Sequence, residues 1–258
     1  MKSKYFKNIT PTSADFYIYG AIVDEKYPDF WTGEESKIDI DPIEFKEELD
    51  TLNGVTDLNI YINSPGGSVF ASSTMVSMLN RIKSERNIKI HGYIDGLCAS
   101  AATYLLMVAD DINVYKNSIM MIHKPMTYSL GNANDLQKDI DTLNTLENDV
   151  MIPMYMNKAL VDEEEIRSLI GNETWFNANE KSDKFIANYF KVNLLDTSKE
   201  VTACSSNLFK NYKNIPTSII VGNQEKPKQQ EIVEKIESNE VIDYSYFDKK
   251  ISSLKGGK

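Results

Sequence analysis

The stretch NSPGGSVFASS, residues 63–73, separates two segments of opposite character and decides the fold class. The apolar run LNIYI at 58–62 precedes it and is typical of a buried strand, whereas a helical spacing of apolar side chains begins at Val69. A proline and two glycines end the strand just before the helix begins. Paired glycines at such a turn are compatible with a phosphate cradle, an oxyanion hole or only a tight change of direction.

Strand and helix patterns alternate on both sides of this stretch. Residues 14–23 read as a strand, and 41–52 read as an amphipathic helix with Asp41 as its N-cap and Pro42 in the first turn. The other predicted elements are helices at 69–83 and 100–109, strands at 58–62, 88–94, 112–115 and 118–123, and a long helix from Asn132 to about Leu160 with a kink at Pro153. This order predicts an α/β fold of βαβ units with a mostly parallel sheet.

Composition limits the class of protein. The chain has 258 residues and a formal net charge of −10, which argues against binding to nucleic acid through its phosphates. No apolar stretch approaches the length of a membrane span, and the start MKSKYFKNIT lacks the apolar region of a secretory signal. The sequence becomes polar after about residue 201, so we predict a folded domain at 1–200 and a flexible tail at 201–258.

The two cysteines give no indication of a metal or redox site. Cys98 and Cys204 lie in no metal-ligand or redox spacing, so no metal and no cofactor is expected, and a reducing cytoplasm is the default location. Cys98 is two residues before Ser100 and could be considered as a nucleophile. We interpret it instead as a small apolar residue packed behind that serine.

Ser100 lies in the second informative stretch, DGLCASAATYLLM at 95–107. We expect the preceding strand to end at Ile94 and Gly96 to form a turn. Small side chains on either side would then let the serine hydroxyl project from a strand-to-helix turn, where the helix N-terminus favours developing negative charge. The alternative is a helix start that is rich in small residues only because it packs closely against another backbone.

The third informative stretch is MMIHKP at 120–125, in which His123 ends a strand. A histidine in that place can serve as a base at the rim of a pocket, or it can have no chemical role. His91 lies inside a short strand with no serine or acid close in sequence, and we interpret it as structural. A serine needs a base to act as a nucleophile, and a tetrahedral oxyanion needs N–H donors, so the three stretches together could supply a hydrolytic site.

The motifs YINSPGGSVFAS, DGLCASAA and MMIHKP, in this order and spacing, resemble the proteolytic subunit of the caseinolytic (Clp) protease. The resemblance extends over about residues 14–195 and is closer to the Clp-like head maturation proteases of tailed bacteriophages and prophages, which share the ETWF element after the long helix. It implies a Clp protease/crotonase-like fold with a protruding helix and a polar C-terminal tail.

The resemblance also implies roles for individual residues. Ser100 would be the nucleophile, His123 the general base, and the backbone N–H groups of Gly67 and Ala101 the oxyanion hole. The second glycine would bring its amide to the reacting carbonyl at a place where a side chain would obstruct an extended substrate. The absence of a Lys-Ser/Thr pair after the glycines argues against a phosphate-binding loop.

The third member of the triad is where the sequence departs from the family. Gly171 stands where the family has an aspartate, just before ETWF. Asn172 is our candidate to orient the histidine. Glu173 is an alternative, although it belongs to the ETWF element and we interpret it as structural, and a working Ser–His dyad or a feeble site is the third reading.

The resemblance implies a serine endopeptidase that processes phage capsid or scaffold proteins. It would act as a ring-shaped homo-oligomer on protein and peptide substrates, in the bacterial cytoplasm or a phage prohead, without nucleic acid or membrane and with a Clp ATPase as an open partner. The tail at 201–258 could tether it to capsid or scaffold, or have no partner. The alternatives are a catalytically weak Clp-like assembly protein and an acyl-coenzyme A-binding crotonase-type enzyme, and a Ser–His pair argues against the latter.

Overall fold

A computed structural model describes residues 5–28 and 33–195 together with Tyr212 and Asn214. These residues belong to one compact unit that extends to Thr217, and the rest of the predicted tail lies outside the described residues. The strands are β1 Phe6–Lys7, β2 Ser13–Tyr19, β3 Asp57–Ser64, β4 Lys89–Ala99, β5 Asp111–Tyr115, β6 Ile119–Ile122, β7 Thr174–Asn177 and β8 Asn193–Leu195. The helices are α1 Pro42–Asp50, α2 Val69–Arg86, α3 Ala102–Met107, α4 Ala133–Thr145, α5 Ile152–Met156 and α6 Glu163–Gly171.

The strands form one mixed sheet, and its centre is parallel as the sequence predicted. Its order is β1-β2-β3-β4-β5-β8, with β6 paired to β4 and β7 paired to β6. The pairs of β2 with β3, β3 with β4, and β4 with both β5 and β6 are parallel, whereas β1 and β7 run antiparallel to their neighbours. The predicted α/β architecture is therefore confirmed.

Helix α1 begins as predicted, because the Asp41 side chain accepts hydrogen bonds from the N–H groups of Ile43 and Glu44, with Pro42 in the first turn. A capped start of this kind lets the helix place Phe45 and Leu49 against the core. At the start of α2, Ser68 caps through its own side chain, which accepts from Ala71 N.

Strand β4 is longer than predicted and does not end at Ile94. It continues to Ala99, with an irregularity in its register to β3 between Ile62 and Ser64. Its first half pairs with β5 and its last residues pair with β6, so Gly96 lies inside the strand where the neighbour changes. The prediction of a turn at Gly96 was wrong because hydrogen bonds to a second neighbour continue the strand.

The long helix predicted from Asn132 to Leu160 is interrupted before the expected kink. Asn132 caps α4 in a capping box with Asp135, but a π-helical segment at Leu146–Met151 follows α4, and α5 ends at Met156. Pro153 lies in the first turn of α5, directly after the π-helical segment. Over the described ranges, no helix combines the length and the apolar character that crossing a bilayer requires.

Candidate active site

The candidate site lies where the parallel strands β3, β4 and β6 reach their carboxyl ends. Ala99 is paired with Met121 across β4 and β6, and Ser100 N donates to Met121 O at 2.9 Å. Ser100 follows the end of β4 and His123 follows the end of β6, so this register sets the two side chains beside each other. The carboxyl edge of a parallel sheet is where α/β folds usually carry their sites.

Ser100 and His123 are in direct contact. Oγ of Ser100 lies 2.6 Å from Nε2 of His123, within hydrogen-bond distance. Ser100 has a φ of +53°, a backbone conformation that a serine rarely adopts and that is typical of a nucleophile on a sharp strand-to-helix turn. Buried packing on both sides of the turn maintains this conformation, since Ala99 and Ala101 are almost completely inaccessible.

The surroundings of His123 favour the neutral imidazole. Only 8% of the residue is exposed, and burial lowers its pKa below the ordinary value, although the charge of Glu173 partly opposes that shift. A neutral Nε2 can accept the proton of the Ser100 hydroxyl, which is the state that a general base requires. Among the described residues, Ser100 is the hydrogen-bond partner of His123, and no side chain is hydrogen-bonded to Nδ1.

The glycine turn packs directly against the Ser100 turn. Gly66 has a φ of +90°, and a Cβ placed there would lie 2.5 Å from Ala99 O and 2.8 Å from Ser100 Cβ. Any larger residue would push the serine out of position. Glycine at 66 is therefore required by the close approach of two backbones.

Glycine is needed at position 67 because the backbone of Ile22 leaves no room for a side chain there. Its φ is +144°, and a Cβ there would lie only 2.0 Å from the carbonyl oxygen of Ile22. Ile22 N donates to Gly66 O and Ser68 N donates to Ile22 O, so this segment after β2 runs against the turn. Ile22 therefore leaves no room for a side chain at 67, and the expectation that such a side chain would obstruct the substrate stays a prediction.

The two predicted oxyanion donors belong to the two turns that are packed together. In the described parts of the chain, the loop and turn hydrogen bonds use the N–H groups of Ser68 and Ser100 but neither that of Gly67 nor that of Ala101. An N–H group that has no acceptor in the protein is available to a substrate oxygen. The assignment of Gly67 and Ala101 as the oxyanion hole remains a prediction that this arrangement supports.

Asn172 is not hydrogen-bonded to Ser100 or His123 in the part of the chain that the structure describes. It is the exposed C-cap of α6, and its side-chain nitrogen donates to Ser168 Oγ at 3.4 Å. The part of the chain that the structure describes contains no hydrogen bond between Asn172 and His123. Its role as the orienting residue remains a prediction, and this geometry does not favour it.

Glu173 is the carboxylate-bearing residue that faces His123 at the ends of strands β7 and β6. Thr174 is paired with Ile122 across the antiparallel strands β7 and β6, so Glu173 and His123 are the next residues facing each other. Glu173 has a φ of +48° and is the group whose charge raises the pKa of His123. The sequence interpretation of Glu173 as merely structural overlooked this relation because strand register cannot be read from the motif.

Cys98 is excluded as the nucleophile. It is completely buried at the end of β4, and burial raises the pKa of its thiol far above the ordinary value. The prediction that it packs as a small apolar residue is confirmed.

A partly buried Ser–His pair beside a glycine turn, at the carboxyl edge of a parallel sheet, is the arrangement typical of α/β proteins with a serine-hydrolase type of site. Comparison of the sequence with protein families narrows that class. A model of the Clp protease family matches residues 47–188, more than half of the chain. The protein therefore belongs to the Clp protease family.

Similar proteins come from several bacteria. The chain is 26% identical over 137 residues to an ATP-dependent Clp protease proteolytic subunit of Bacteroides thetaiotaomicron, covering 52% of this chain and 60% of that protein. It is 34% identical over 91 residues to the Bacteroides fragilis subunit, covering 34% and 42%. It is 31% identical over 108 residues to proteolytic subunit 2 of Synechococcus sp. strain CC9605, covering 41% and 50%. The chain thus spans about half the length of these relatives.

Proposed function

We propose that this protein is a serine endopeptidase that cleaves peptide bonds through an acyl-enzyme on Ser100. The observation that carries the proposal is the 2.6 Å contact between Ser100 Oγ and His123 Nε2. The positive φ of Ser100, next to the close-packed glycine turn at 66–67, strengthens it, since strained backbone of this kind clusters at active sites.

In the proposed mechanism, His123 takes the hydroxyl proton as Oγ attacks the carbonyl carbon of the substrate. The tetrahedral oxyanion is bound by the N–H groups of Gly67 and Ala101. His123 then gives the proton to the leaving amine, and an acyl-enzyme remains on Ser100. Water attacks the ester with His123 again as base, which releases the second product and restores the hydroxyl.

We propose Glu173 as the positioning residue for His123. The register of β6 and β7 sets it opposite the histidine, and its negative charge stabilises the imidazolium that forms during the reaction. In this structure Glu173 Oε1 accepts hydrogen bonds from Trp175 Nε1 at 3.4 Å and from Asn214 N at 2.7 Å. Loss of the contact with Asn214 would remove one of the hydrogen bonds that fix the position of the carboxylate.

We propose proteins of a phage or prophage head, capsid or scaffold, as the substrates, because the ETWF element at 173–176 resembles that of the phage proteases. The relatives are named as ATP-dependent Clp proteolytic subunits, so a ring-shaped homo-oligomer and a Clp ATPase partner are also proposed for this chain. The bacterial cytoplasm or the prohead is the location that this reading implies.

A catalytically weak assembly protein is the second candidate. The observation in its favour is that none of the described residues hydrogen-bonds Nδ1 of His123. An unoriented histidine can cost several orders of magnitude in rate.

Labelling with a fluorophosphonate probe separates the two candidates. The probe reacts with a serine whose hydroxyl is activated by a base, so the peptidase should be labelled and Ser100→Ala should lose the label completely. Ser77→Ala is the matched control, because Ser77 is exposed on α2 and bonds only the carbonyl of Ser73.

Absence of label in the wild type, with normal folding and assembly, would favour the assembly protein. Retention of the full label in Ser100→Ala would mean that another serine reacts, and it would contradict the proposed mechanism.

A further inference from the structure

Two described residues beyond the last strand contact the candidate site. Tyr212 and Asn214 both belong to the stretch that the sequence predicted to be tail, and both lie in the same compact unit as the sheet. Tyr212 contacts His123, Trp175 and Pro65, and Asn214 contacts Asn172 and Glu173, which lie between α6 and β7.

Tyr212 covers the catalytic histidine. Its ring meets the ring of His123 edge to face at a centroid distance of 5.5 Å, and it meets the ring of Trp175 in the same way at 5.7 Å. Its hydroxyl donates a hydrogen bond to the carbonyl oxygen of Pro65, the residue that begins the glycine turn. One side chain therefore joins the strand end that carries the base to the turn that carries the predicted oxyanion donor.

Asn214 binds the other side of the site through its backbone and its side chain. Its N–H donates to Glu173 Oε1 at 2.7 Å, and its side-chain nitrogen donates to the carbonyl of Asn172 at 3.0 Å. A hydrogen bond to a carboxylate is among the stronger ones in proteins. Asn214 thus binds Glu173 in the same arrangement in which His123 Nε2 contacts Ser100 Oγ.

We propose that Tyr212 and Asn214 together act as a built-in ligand of the candidate active site, occupying the place of a substrate peptide and restraining Glu173. This inference rests on the proposed peptidase function. An aromatic side chain over the base, a hydrogen bond to a loop carbonyl and a backbone N–H bound to a carboxylate are contacts of the kind by which proteins hold peptides. A substrate and the pair Tyr212 and Asn214 would therefore compete for the same surface.

Competition of this kind lowers the apparent kcat/KM in proportion to the fraction of time that the site is occupied. A segment of the same chain has a high effective concentration at the site, so even weak contacts can keep it bound. If the cleft is free about one tenth of the time, the apparent kcat/KM is about tenfold below that of the open enzyme. Substitution of Tyr212 removes both ring contacts and the hydrogen bond, and kcat/KM should rise by about that factor.

The first measurement uses the full-length chain and a fluorogenic peptide. In Tyr212→Ala we expect kcat/KM and the rate of fluorophosphonate labelling to rise by about tenfold. Tyr212→Phe keeps the ring contacts but loses the hydrogen bond to Pro65, and it should give an intermediate rise. Tyr27→Ala is the control, because Tyr27 is an exposed tyrosine whose hydroxyl bonds Glu25, and it should leave both rates unchanged.

The second measurement does not depend on activity. Diethyl pyrocarbonate modifies accessible imidazoles, and the chain contains only His91 and His123. Mass spectrometry of the peptides that carry them gives both rates in one sample. In Tyr212→Ala, His123 should react several-fold faster while His91 reacts at the wild-type rate, whether or not the protein hydrolyses anything.

The outcomes distinguish this proposal from the proposed function. Faster modification of His123 in a protein that neither hydrolyses peptide nor takes the probe would support the built-in ligand and contradict the peptidase. Unchanged modification of His123 in Tyr212→Ala would overturn the built-in ligand. A fall in kcat/KM without faster modification would also overturn it, since Tyr212 would then support the site instead of covering it.

Discussion

The two histidines of this chain lie at opposite ends of the same sheet and have opposite electrostatic surroundings. His91, near the start of β4, lies between two carboxylates, with Nδ1 2.7 Å from Asp111 and Nε2 3.3 Å from Asp57. Burial lowers its pKa, but the hydrogen bonds and charges of the two aspartates outweigh that effect and raise the pKa above the ordinary value. His123 is more deeply buried, and its pKa is lowered.

The difference shows what each imidazole can do. A histidine between two carboxylates is stabilised as a cation and has both nitrogens occupied, so it is a poor base. His123 has one nitrogen on a hydroxyl and remains neutral near pH 7, which suits proton transfer. We therefore expect the polar network around His91 to stabilise the fold, whereas the burial of His123 suits the base of the proposed reaction.

The largest expected effect comes from removing each histidine in turn. His123→Ala should reduce kcat for a fluorogenic peptide by about 10⁴-fold or more, the size seen when a base that activates serine is lost. His91→Ala should retain kcat within about twofold, because His91 contacts neither Ser100 nor His123. Comparable losses in both variants, at equal amounts of folded protein, would contradict this division of roles.

The next effect concerns the position of Ser100 relative to His123. Gly66→Ala puts a methyl group 2.5 Å from Ala99 O and 2.8 Å from Ser100 Cβ, so the serine must move. A displacement of this size should cost about 100-fold in kcat while the pKa of His123 stays low. The matched control is Gly54→Ala, whose φ of +73° carries similar backbone strain but whose Cβ has its nearest neighbour, Pro11 O, at 3.5 Å. Equal rates in the two variants would show that the packing of the turns is unimportant.

A smaller effect tests the carboxylate of Glu173. Burial lowers the pKa of His123 and the charge of Glu173 partly opposes this, so Glu173→Gln should lower that pKa further. The base must be neutral to act, so the acid limb of the kcat/KM profile should move to lower pH, and kcat should fall by about tenfold. Asn172→Ala should leave the limb in place. A shift with Asn172→Ala alone would restore Asn172 as the orienting residue.

The sequence predicted the architecture and the proximity of Ser100 and His123, since both depend on local pattern and on motifs. It could not predict that Glu173 faces His123, because that follows from the antiparallel register of β7, which a motif does not encode. The extension of β4 to Ala99 was missed for a related reason, since pairing with β6 overrides the turn tendency of Gly96. The contact of Tyr212 with His123 could not be predicted from the sequence, because a polar stretch has no pattern that indicates where it docks.

The smallest expected effect is a difference between His91 and His123 in how their contributions to the free energy of unfolding depend on pH. A raised folded-state pKa means that the contribution of His91 is complete below about pH 6.5 and is lost as the pH rises through the folded value. Urea unfolding of His91→Gln should therefore show a loss of about 1 kcal/mol at pH 6 that shrinks by pH 9. The sign reverses for His123, whose lowered pKa makes its contribution present above about pH 6.5 and lost as the pH falls. His123→Gln should accordingly be less destabilising at pH 5 than at pH 8, and parallel pH trends in the two variants would contradict the electrostatic contrast.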